Sequence, residues 1–222
     1  MSDAFAALRA CLARPSDAAA VGRHSQPPGG ARTVRREPRG WREAAVQILL
    51  ADTDHPDVTF IERANNLRNH AGQIAFPGGS REPEDASLIA TAQRETAEEI
   101  GLDADRVEVL GVLSAASVPA SGFDVTTVVS AWDWKADLRP VDLVEVEAVH
   151  RFTIADLTSA EHRVTARHAS GYVGPAFVFG DIFIWGFTGH LTSVLLDLGG
   201  WTRPWRQDTV VDVPQRFQRD RS

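Results

Sequence analysis

Hydrophobic and polar positions along the chain follow two different spacings, and together these predict a mixed α/β protein. Two longer segments, 86–100 and 186–198, repeat apolar residues at helical spacing and predict helices. Short apolar runs between turn residues predict strands at 45–50, 58–62, 73–76, 107–113, 125–132, 143–152, 162–168 and 176–185. The first two strands are expected to form a hairpin, and the last is expected to turn back at Gly180-Asp181. This order of strands and helices fits an α/β/α sandwich with a mixed β-sheet.

The two ends of the chain are expected to be additions to this central region. Residues 1–22 carry apolar positions near one stripe and predict a short helix. Residues 25–40 contain Pro-Pro-Gly-Gly and several Arg residues, which predicts either a plain linker or an arm over a substrate's phosphates. The polar end of the chain is expected on the surface or in a homodimer contact. We therefore expect an N-terminal helix and mobile segment, a main domain and a C-terminal tail, at 1–40, 41–200 and 201–222.

Composition excludes several classes of function. The 222 residues are 43% hydrophobic and 24% charged, as in an ordinary globular protein. The net charge of −7 disfavours nucleic-acid binding, and no apolar run approaches the roughly eighteen residues of a membrane span. A single cysteine, Cys11, excludes a disulfide framework. We therefore expect a cytoplasmic protein that binds a small molecule, without nucleic-acid or membrane partners.

Three carboxylates lie together near the end of the first predicted helix. Glu95, Glu98 and Glu99 are three or four residues apart and share one side of it. Like charges repel at this spacing, and the negative end of the helix dipole opposes them as well. Carboxylate oxygens without cysteine or a close pair of histidines suit Mg²⁺ or Mn²⁺, bound jointly with substrate phosphates. The alternative is an outward face that water solvates.

The residues around this helix favour the metal site over the solvated face. Gly78 and Gly79 form a predicted loop whose backbone can approach a phosphate. Asp85 is placed to cap the start of the helix, and Gly101 to end it. A phosphate-approaching loop followed by a carboxylate-rich helix predicts a site for a metal-bound phosphate compound.

The stretch from Gly79 to Leu102 resembles the signature of the Nudix hydrolases. The matching positions are Gly79, Arg94, Glu95, Glu98, Glu99, Gly101 and Leu102. In three departures, Asp85 replaces the family's first Glu, lies nine residues before Arg94 instead of eight, and Thr96 occupies a position that is usually aliphatic. The resemblance implies a Nudix-like fold and a salt bridge between Asp85 and Arg94. It also implies metal ligands at Glu95, Glu98 and Glu99, which with Arg94 form the catalytic set.

The segment before that signature resembles the coenzyme A pyrophosphatase branch of the family. That branch has an Arg-Ser/Ala pair, then Arg, Gly and Phe-Pro-Gly-Gly at fixed spacing. The corresponding residues here are Arg63-Ala64, Arg68, Gly72 and Phe76-Pro77-Gly78-Gly79. The resemblance implies that substrate is bound by Arg63, Arg68, Gly72, Gly78 and Gly79. A guanidinium group suits phosphate, so the two Arg side chains are the candidates to grip the diphosphate; surface ion pairs are the alternative.

The resemblance implies metal-dependent hydrolysis of coenzyme A or acyl-coenzyme A to 3',5'-ADP and (acyl-)4'-phosphopantetheine. Two alternatives stay open. One is the same chemistry on ADP-ribose, NADH or another nucleoside diphosphate derivative. The other is a Nudix-fold module that binds nucleotide without turnover, although retention of the full Arg and Glu set speaks against it. The general base also stays open among five acids: Glu98, Glu99, Glu145, Glu147 and Glu161.

Overall fold

The structure, a computed structural model, describes residues 5–13, 40–118 and 122–217. Its α-helices are α1 (Ala6–Leu12), α2 (Leu88–Ile100), α3 (Ile154–Thr158) and α4 (Gly186–Leu198). Its strands are β1 (Arg42–Ala51), β2 (Asp57–Arg63), β3 (Ile74–Ala75), β4 (Gly78–Ser80), β5 (Val107–Val118), β6 (Phe123–Trp132), β7 (Val146–Thr153), β8 (Arg163–Arg167), β9 (Val173–Phe179), β10 (Ile182–Ile184) and β11 (Val210–Asp212). Two short 3-10 helices cover Ala104–Arg106 and Gln215–Phe217. The predicted N-terminal helix is present as α1. Residues 25–39 of the predicted mobile segment lie outside the described part of the chain.

Strand β1 is the centre of a seven-stranded mixed sheet. It pairs in parallel with β6 along its whole length and antiparallel with β2 and β4. The strand order is β3-β2-β1-β6-β5, with β4 also on β1 and β7 on β2. The parallel and antiparallel pairs confirm the predicted mixed sheet, and the pairing of β1 with β2 confirms the predicted hairpin. A strand covered on both faces needs apolar side chains on both, which is why β1 is an almost continuous apolar run.

Alternate residues of β1 face two helical layers on opposite sides of this sheet. Ile48 and Leu50 belong to the buried cluster that also contains residues of α1 and α4. On the other face, Ala45 packs with Ala92 of α2, and Leu49 packs in the cluster with Ile100 at the end of that helix. Helices therefore cover both faces of the sheet, as the predicted sandwich requires.

A second, four-stranded sheet is formed by the later part of the chain in the order β10-β9-β8-β11. The predicted turn at Gly180-Asp181 is confirmed, because β9 and β10 pair antiparallel across it. Strand β11 comes from the predicted tail and pairs in parallel with β8. Val213 and Phe217 are buried, so the expected surface position is wrong for these two residues. The apolar residues from Val210 to Phe217 are spaced among polar and charged ones, so the sequence pattern did not indicate a strand or a buried segment here.

Several predicted boundaries move in the structure. The strand expected from 143 begins at Val146, and Gly78-Gly79, expected as a loop, belong to β4. Helix α2 begins at Leu88, and its cap is Ser87, whose side chain accepts from the Ala90 N–H at 3.2 Å. The prediction of Asp85 as the cap is wrong because its carboxylate is bound elsewhere. Among the described helices, none is long and apolar enough to cross a membrane.

Candidate active site

Helix α2 is fixed against β1 at its C-terminal half. Gly101 ends the helix in the left-handed conformation, with φ 74°, as predicted. Thr96 is fully buried, and its hydroxyl lies 2.7 Å from Oε1 of Gln47 in β1. The Gln47 amide in turn donates to the Ser130 hydroxyl in β6 at 3.0 Å. This buried polar chain sets the position of the helix segment that carries the three Glu residues.

Gly78 and Gly79 let the helix and the sheet approach each other closely. Both pair with β1. A Cβ atom on Gly78 would overlap the carbonyl oxygen of Ala45, and one on Gly79 would overlap the carboxylate of Glu95. The Gly78 N–H donates to Oε2 of Glu99 at 2.9 Å. The room that the two glycines provide is therefore occupied by β1 and by carboxylates of α2.

Arg94 connects the acids of this region. Its Nε and Nη2 atoms donate to the two oxygens of Asp85, each at 3.1 Å. Its Nη1 lies 3.0 Å from Oε1 of Glu95 and 2.9 Å from Oε2 of Glu98, and Nη2 also donates to the Ser80 carbonyl at 3.1 Å. The ion pair implied for Asp85 and Arg94 is thus present, and one guanidinium group orients three carboxylates.

Asp85 is held by more than Arg94. Its Oδ2 accepts from the Glu82 N–H and from the Thr91 hydroxyl, both at 2.9 Å. The hydrogen bonds from Arg94 and from the Glu82 N–H hold the pKa of the Asp85 carboxyl well below its usual range. Asp85 therefore stays ionised and fixes Arg94 in place.

Glu95 and Glu99 are carboxylates with little solvation. Burial is the main reason why the pKa of Glu99 is raised to about 8. The hydrogen bond from the Gly78 N–H lowers this pKa, and the nearby charge of Glu95 raises it. Burial also raises the pKa of Glu95, and Arg94 opposes that shift. Oε1 of Glu99 is buried and has no hydrogen-bond partner within the described part of the chain. Such groups are stabilised by an added positive charge.

Arg63 and Glu145 approach the same carboxylates from the sheet side. Nη2 of Arg63 lies 3.8 Å from Oε2 of Glu145, whose carbonyl accepts from the Ala64 N–H at 2.8 Å. Glu145 contributes to the raised pKa values of Glu95 and Glu99, whereas the charge of Arg63 lowers that of Glu99. Among the later acids kept open as general base, Glu145 is thus near the cluster. Glu145, Glu147 and Glu161 are all exposed, and the contact with Arg63 is what distinguishes Glu145 from the other two.

The remaining predicted substrate residues lie on the connection from β2 to β3. The Gly72 N–H donates to the Arg63 carbonyl at 2.9 Å, so Gly72 lies directly beside Arg63. Arg68 lies on the exposed part of this connection. The structure thus brings Arg63, Gly78 and Gly79 to α2 and leaves Arg68 at the surface.

The acids of α2 are chemically suited to bind a hard divalent cation, but their side chains do not converge on one point as metal ligands do. Within the described ranges, no three His, Cys, Asp or Glu side chains form a group that could hold a metal ion. Glu98 is turned to Arg94, while Glu99 keeps its orphaned buried oxygen. Carboxylate oxygens are the ligands that Mg²⁺ and Mn²⁺ prefer. The Glu99 oxygen and the poorly solvated Glu95 are the groups that such an ion would satisfy.

Sequence reasoning missed two residues that build this site. The sequence pattern predicts Gln47 only as part of an apolar strand, and it predicts Asp85, not Ser87, as the helix cap. Each carried a signal. A polar amide inside the run Ala-Val-Gln-Ile-Leu-Leu needs a buried partner, and a Ser directly before the apolar start of a helix is a preferred cap.

Comparison with known proteins places the chain in a family. A family model described as the NUDIX domain matches residues 41–172, more than half of the chain. The uncharacterized Nudix hydrolase NudL of Shigella flexneri serotype 5b (strain 8401) is 34% identical over 176 residues, covering 75% of this chain and 88% of that protein. The NudL protein of Cronobacter sakazakii (strain ATCC BAA-894) gives the same identity and coverage. Among solved structures, the Nudix hydrolase RenU from M. Smegmatis aligns with a TM-score of 0.49 at 18% identity, over 79% of this chain and 94% of that chain.

The family model and the NudL relatives show that this chain belongs to the Nudix hydrolase family. It is a pyrophosphatase, an enzyme that hydrolyses a nucleoside diphosphate derivative. Nudix hydrolases generally use divalent metal ions and bind small nucleotide substrates. The predicted fold and the predicted enzyme class are confirmed.

Proposed function

We propose that this enzyme hydrolyses the diphosphate of coenzyme A or acyl-coenzyme A. Water is added across one P–O–P linkage, and the products are 3',5'-ADP and 4'-phosphopantetheine, or its acyl derivative. The proposed substrate is more specific than the activity that defines the family, because members share the helix that carries the acidic residues but differ in substrate.

The position of Arg63 carries this proposal. Arg63 opens the segment that resembles the coenzyme A branch, and its guanidinium group lies beside Glu145 and within the field of Glu99. Its Nε atom is buried without a hydrogen-bond partner among the residues described. A guanidinium group with an unused donor at a carboxylate cluster suits a phosphate oxygen. Support therefore comes from one residue that links the substrate motif with the Nudix helix.

In the proposed mechanism, Glu95, Glu98 and Glu99 are the residues that would hold Mg²⁺ or Mn²⁺. The bound ion would supply charge neutralisation and a more acidic water. Arg94 keeps Glu95 and Glu98 oriented while Asp85 fixes Arg94. Arg63, with Arg68 and the Gly72 and Gly78-Gly79 backbone, binds the substrate.

Glu145 is the acid that we assign as general base. Its carboxylate is half exposed and lies beside Arg63, so it can accept the proton of a water molecule at a phosphate that Arg63 binds. Glu98 is less suited, because Arg94 bonds its carboxylate. Glu99 is less suited because it is buried and bonded to the Gly78 N–H.

The proposal includes the organisation of the chain and its surroundings. Residues 41–200 would form the hydrolase domain, and helix α1 and strand β11 pack onto it from the two flanking segments. We propose a cytoplasmic enzyme, a homodimer contact through the tail, and a coenzyme A-type nucleotide as its small-molecule partner, without nucleic acid.

The first experiment offers coenzyme A, acetyl-coenzyme A, ADP-ribose and NADH to the purified protein with Mg²⁺, with Mn²⁺ and with EDTA. Products are separated by HPLC. We expect 3',5'-ADP from both coenzyme A compounds only when metal is present. Glu99→Gln should reduce kcat/KM at least about a hundredfold, as loss of one charge-stabilising group does in other enzymes. Glu161→Gln, the same change at an exposed acid, should behave as wild type.

Each outcome bears on a different part of the proposal. Cleavage of ADP-ribose or NADH alone would leave the enzyme class and reject coenzyme A as the substrate. Equal losses in Glu99→Gln and Glu161→Gln would reject the assignment of Glu99 to the metal site.

A further inference from the structure

The connection from β6 to β7, residues 133–145, exposes a large share of apolar surface. Six large apolar side chains are exposed among the described residues, and four of them lie on this connection: Trp134, Val141, Leu143 and Val144. Exposed apolar residues that stand singly are ordinary, whereas neighbouring ones mark contact surfaces. The last three fall within four consecutive positions and are 53%, 75% and 67% exposed. These three residues are called the apolar turn below.

Hydrogen bonds within the chain give the apolar turn a defined shape. The Val144 N–H donates to Oδ1 of Asp142 at 2.8 Å, and the Val146 N–H donates to the Asp142 carbonyl at 2.9 Å. The second bond spans four residues, as in one turn of an α-helix. Val146 is fully buried in the cluster that contains the end of α2. Residues two apart on such a turn point in nearly opposite directions, so Val144 points away from this core.

The apolar turn is bonded to the candidate active site at both ends. The Val141 N–H donates to the Glu99 carbonyl at 2.9 Å. At the other end, the Glu145 carbonyl accepts from the Ala64 N–H at 2.8 Å, and the Glu145 carboxylate lies 3.8 Å from Nη2 of Arg63. Consecutive Cα atoms are only about 3.8 Å apart. A substrate whose diphosphate lies at Arg63 therefore has the apolar turn beside it.

The groups that flank the diphosphate differ among the candidate substrates. In ADP-ribose and NADH, a ribose with hydroxyl groups follows on both sides. In coenzyme A, one side is a ribose that carries a 3'-phosphate. The other side is a CH₂ group and then a carbon atom that carries two methyl groups, which begins the pantetheine arm. An aliphatic surface gains free energy by removing methyl groups from water, whereas covering hydroxyl groups without new hydrogen bonds costs free energy.

The charges around the apolar turn favour the same side of the substrate. The carboxylates of Asp142 and Glu145 belong to residues within or directly after the turn. A ribose with a 3'-phosphate placed here would bring negative charge toward two acids, at a cost in electrostatic free energy. The dimethyl carbon is uncharged and meets no such penalty.

We propose that the apolar turn binds the dimethyl segment of the pantetheine arm and thereby favours coenzyme A-type substrates over compounds with a ribose on both sides of the diphosphate. This inference rests on the proposed function, because among the candidate substrates only coenzyme A compounds contain this arm. A second copy of the chain fits the turn less well. A stable interface buries about 800 Å² on each partner, and three aliphatic side chains cover much less.

The test removes the apolar surface and compares two phosphate monoesters by calorimetry. One variant combines Leu143→Ser with Val144→Ser, and the control combines Val173→Ser with Val210→Ser, two exposed valines of the second sheet. We expect the first variant to weaken binding of 4'-phosphopantetheine at least about tenfold, because the dimethyl carbon loses its apolar contact. Binding of ribose 5-phosphate, which carries the same phosphate on a sugar, should change less than about twofold. The control variant should change neither.

Kinetics with coenzyme A separate loss of binding from displacement of the proposed base. The KM of the double variant at 143 and 144 should rise at least about tenfold while kcat stays within about twofold, because Glu145 itself is unchanged. Val144→Ile keeps the apolar surface and should behave as wild type. Thermal unfolding of all variants should stay near wild type, since the changed positions are exposed.

Three results would overturn the inference. In the first, kcat falls while KM is unchanged. In the second, ribose 5-phosphate binding weakens as much as 4'-phosphopantetheine binding. In the third, size-exclusion chromatography shows that the double variant dissociates while its product binding stays as in wild type, which would make the apolar turn a contact between copies.

Failure of this inference can be told apart from failure of the proposed function. Wild-type protein that cleaves coenzyme A, with a double variant of unchanged KM and product binding, would reject the role of the apolar turn and keep the function. Wild-type protein that does not cleave coenzyme A, but binds 4'-phosphopantetheine more tightly than the double variant does, would keep the binding role and reject the function.

Discussion

Asp85 is the residue on which the position of Arg94 depends most directly. Only 6% of its side chain is exposed, and its carboxylate accepts from Arg94, Thr91 and the Glu82 backbone. A buried carboxylate stays ionised only if such donors surround it. Arg94 also bonds Glu95 and Glu98. Removal of the Asp85 carboxylate would therefore release Arg94 and, through it, disturb two of the proposed metal ligands.

Asp85→Asn should lower the free energy of unfolding at pH 7 by about 1–3 kcal/mol, because the amide cannot accept from all of these donors. The pKa of Asp85 is lowered in the folded protein, so its charge contributes stability above the unfolded pKa of about 3.9. That contribution is lost as pH falls through the folded pKa. Urea unfolding at pH 7 and near pH 3 should therefore show a difference from wild type that shrinks toward low pH.

The control for this prediction is Asp54→Asn, the same change at an exposed position in the turn between β1 and β2. It should leave stability within about 0.5 kcal/mol of wild type at either pH. A difference for Asp85→Asn that is constant between the two pH values would contradict a role for its ionised form.

At the scale of elements, helix α2 and strand β1 are joined by a polar chain inside an apolar interface. Thr96, Gln47 and Ser130 are each fully buried and bonded to one another in that order. The Thr that departs from the aliphatic residue of the Nudix signature is thus matched by a Gln in the strand below it. This pairing explains why the departure is tolerated.

Thr96→Val should lower the free energy of unfolding by about 1–3 kcal/mol, since the Gln47 carbonyl oxygen would remain buried without its donor. A double-mutant cycle with Gln47→Leu measures the effect. We expect a coupling free energy of about 0.5–3 kcal/mol, because the two side chains share one hydrogen bond. Strictly additive losses would show that the two residues act independently.

The elements also show what the sequence alone could predict. Apolar spacing was sufficient for α2, β1 and the turn at Gly180-Asp181, because these features depend on local pattern and on residues with special backbone preferences. Strand β11 was not predictable, since its place beside β8 is fixed by a partner more than forty residues earlier in the chain.

The candidate site also contains residues that the sequence alone could predict and a residue that it could not select. The Glu residues of α2 and their Arg partner lie within one short segment, so a local signature finds them. Glu145 reaches Arg63 through the pairing of β2 with β7, which no local pattern encodes. The sequence could therefore include Glu145 among several later acids but could not select it.

At the scale of the whole molecule, helix α1 is part of the main core. Phe5 and Leu8 are buried in the cluster that contains residues of α4, and Phe5 makes an edge contact with Trp201, with ring centroids 6.3 Å apart. Leu12 packs so closely on β5 that a Cβ atom on Gly111 would lie 2.6 Å from it. The described N-terminal segment and the segment after α4 thus meet on the sheet face opposite α2.

Leu8→Ala tests whether this helix stabilises the domain. Leu8 is fully buried, so its truncation should lower the free energy of unfolding by about 2–5 kcal/mol and lower the melting temperature. Below that temperature, kcat/KM should stay near wild type, because α1 lies on the face away from α2. Arg9→Ala on the same helix removes only the partly exposed ion pair with Glu108 and should cost no more than about 1 kcal/mol. If Leu8→Ala is as stable as Arg9→Ala, α1 contributes little to the core that it contacts.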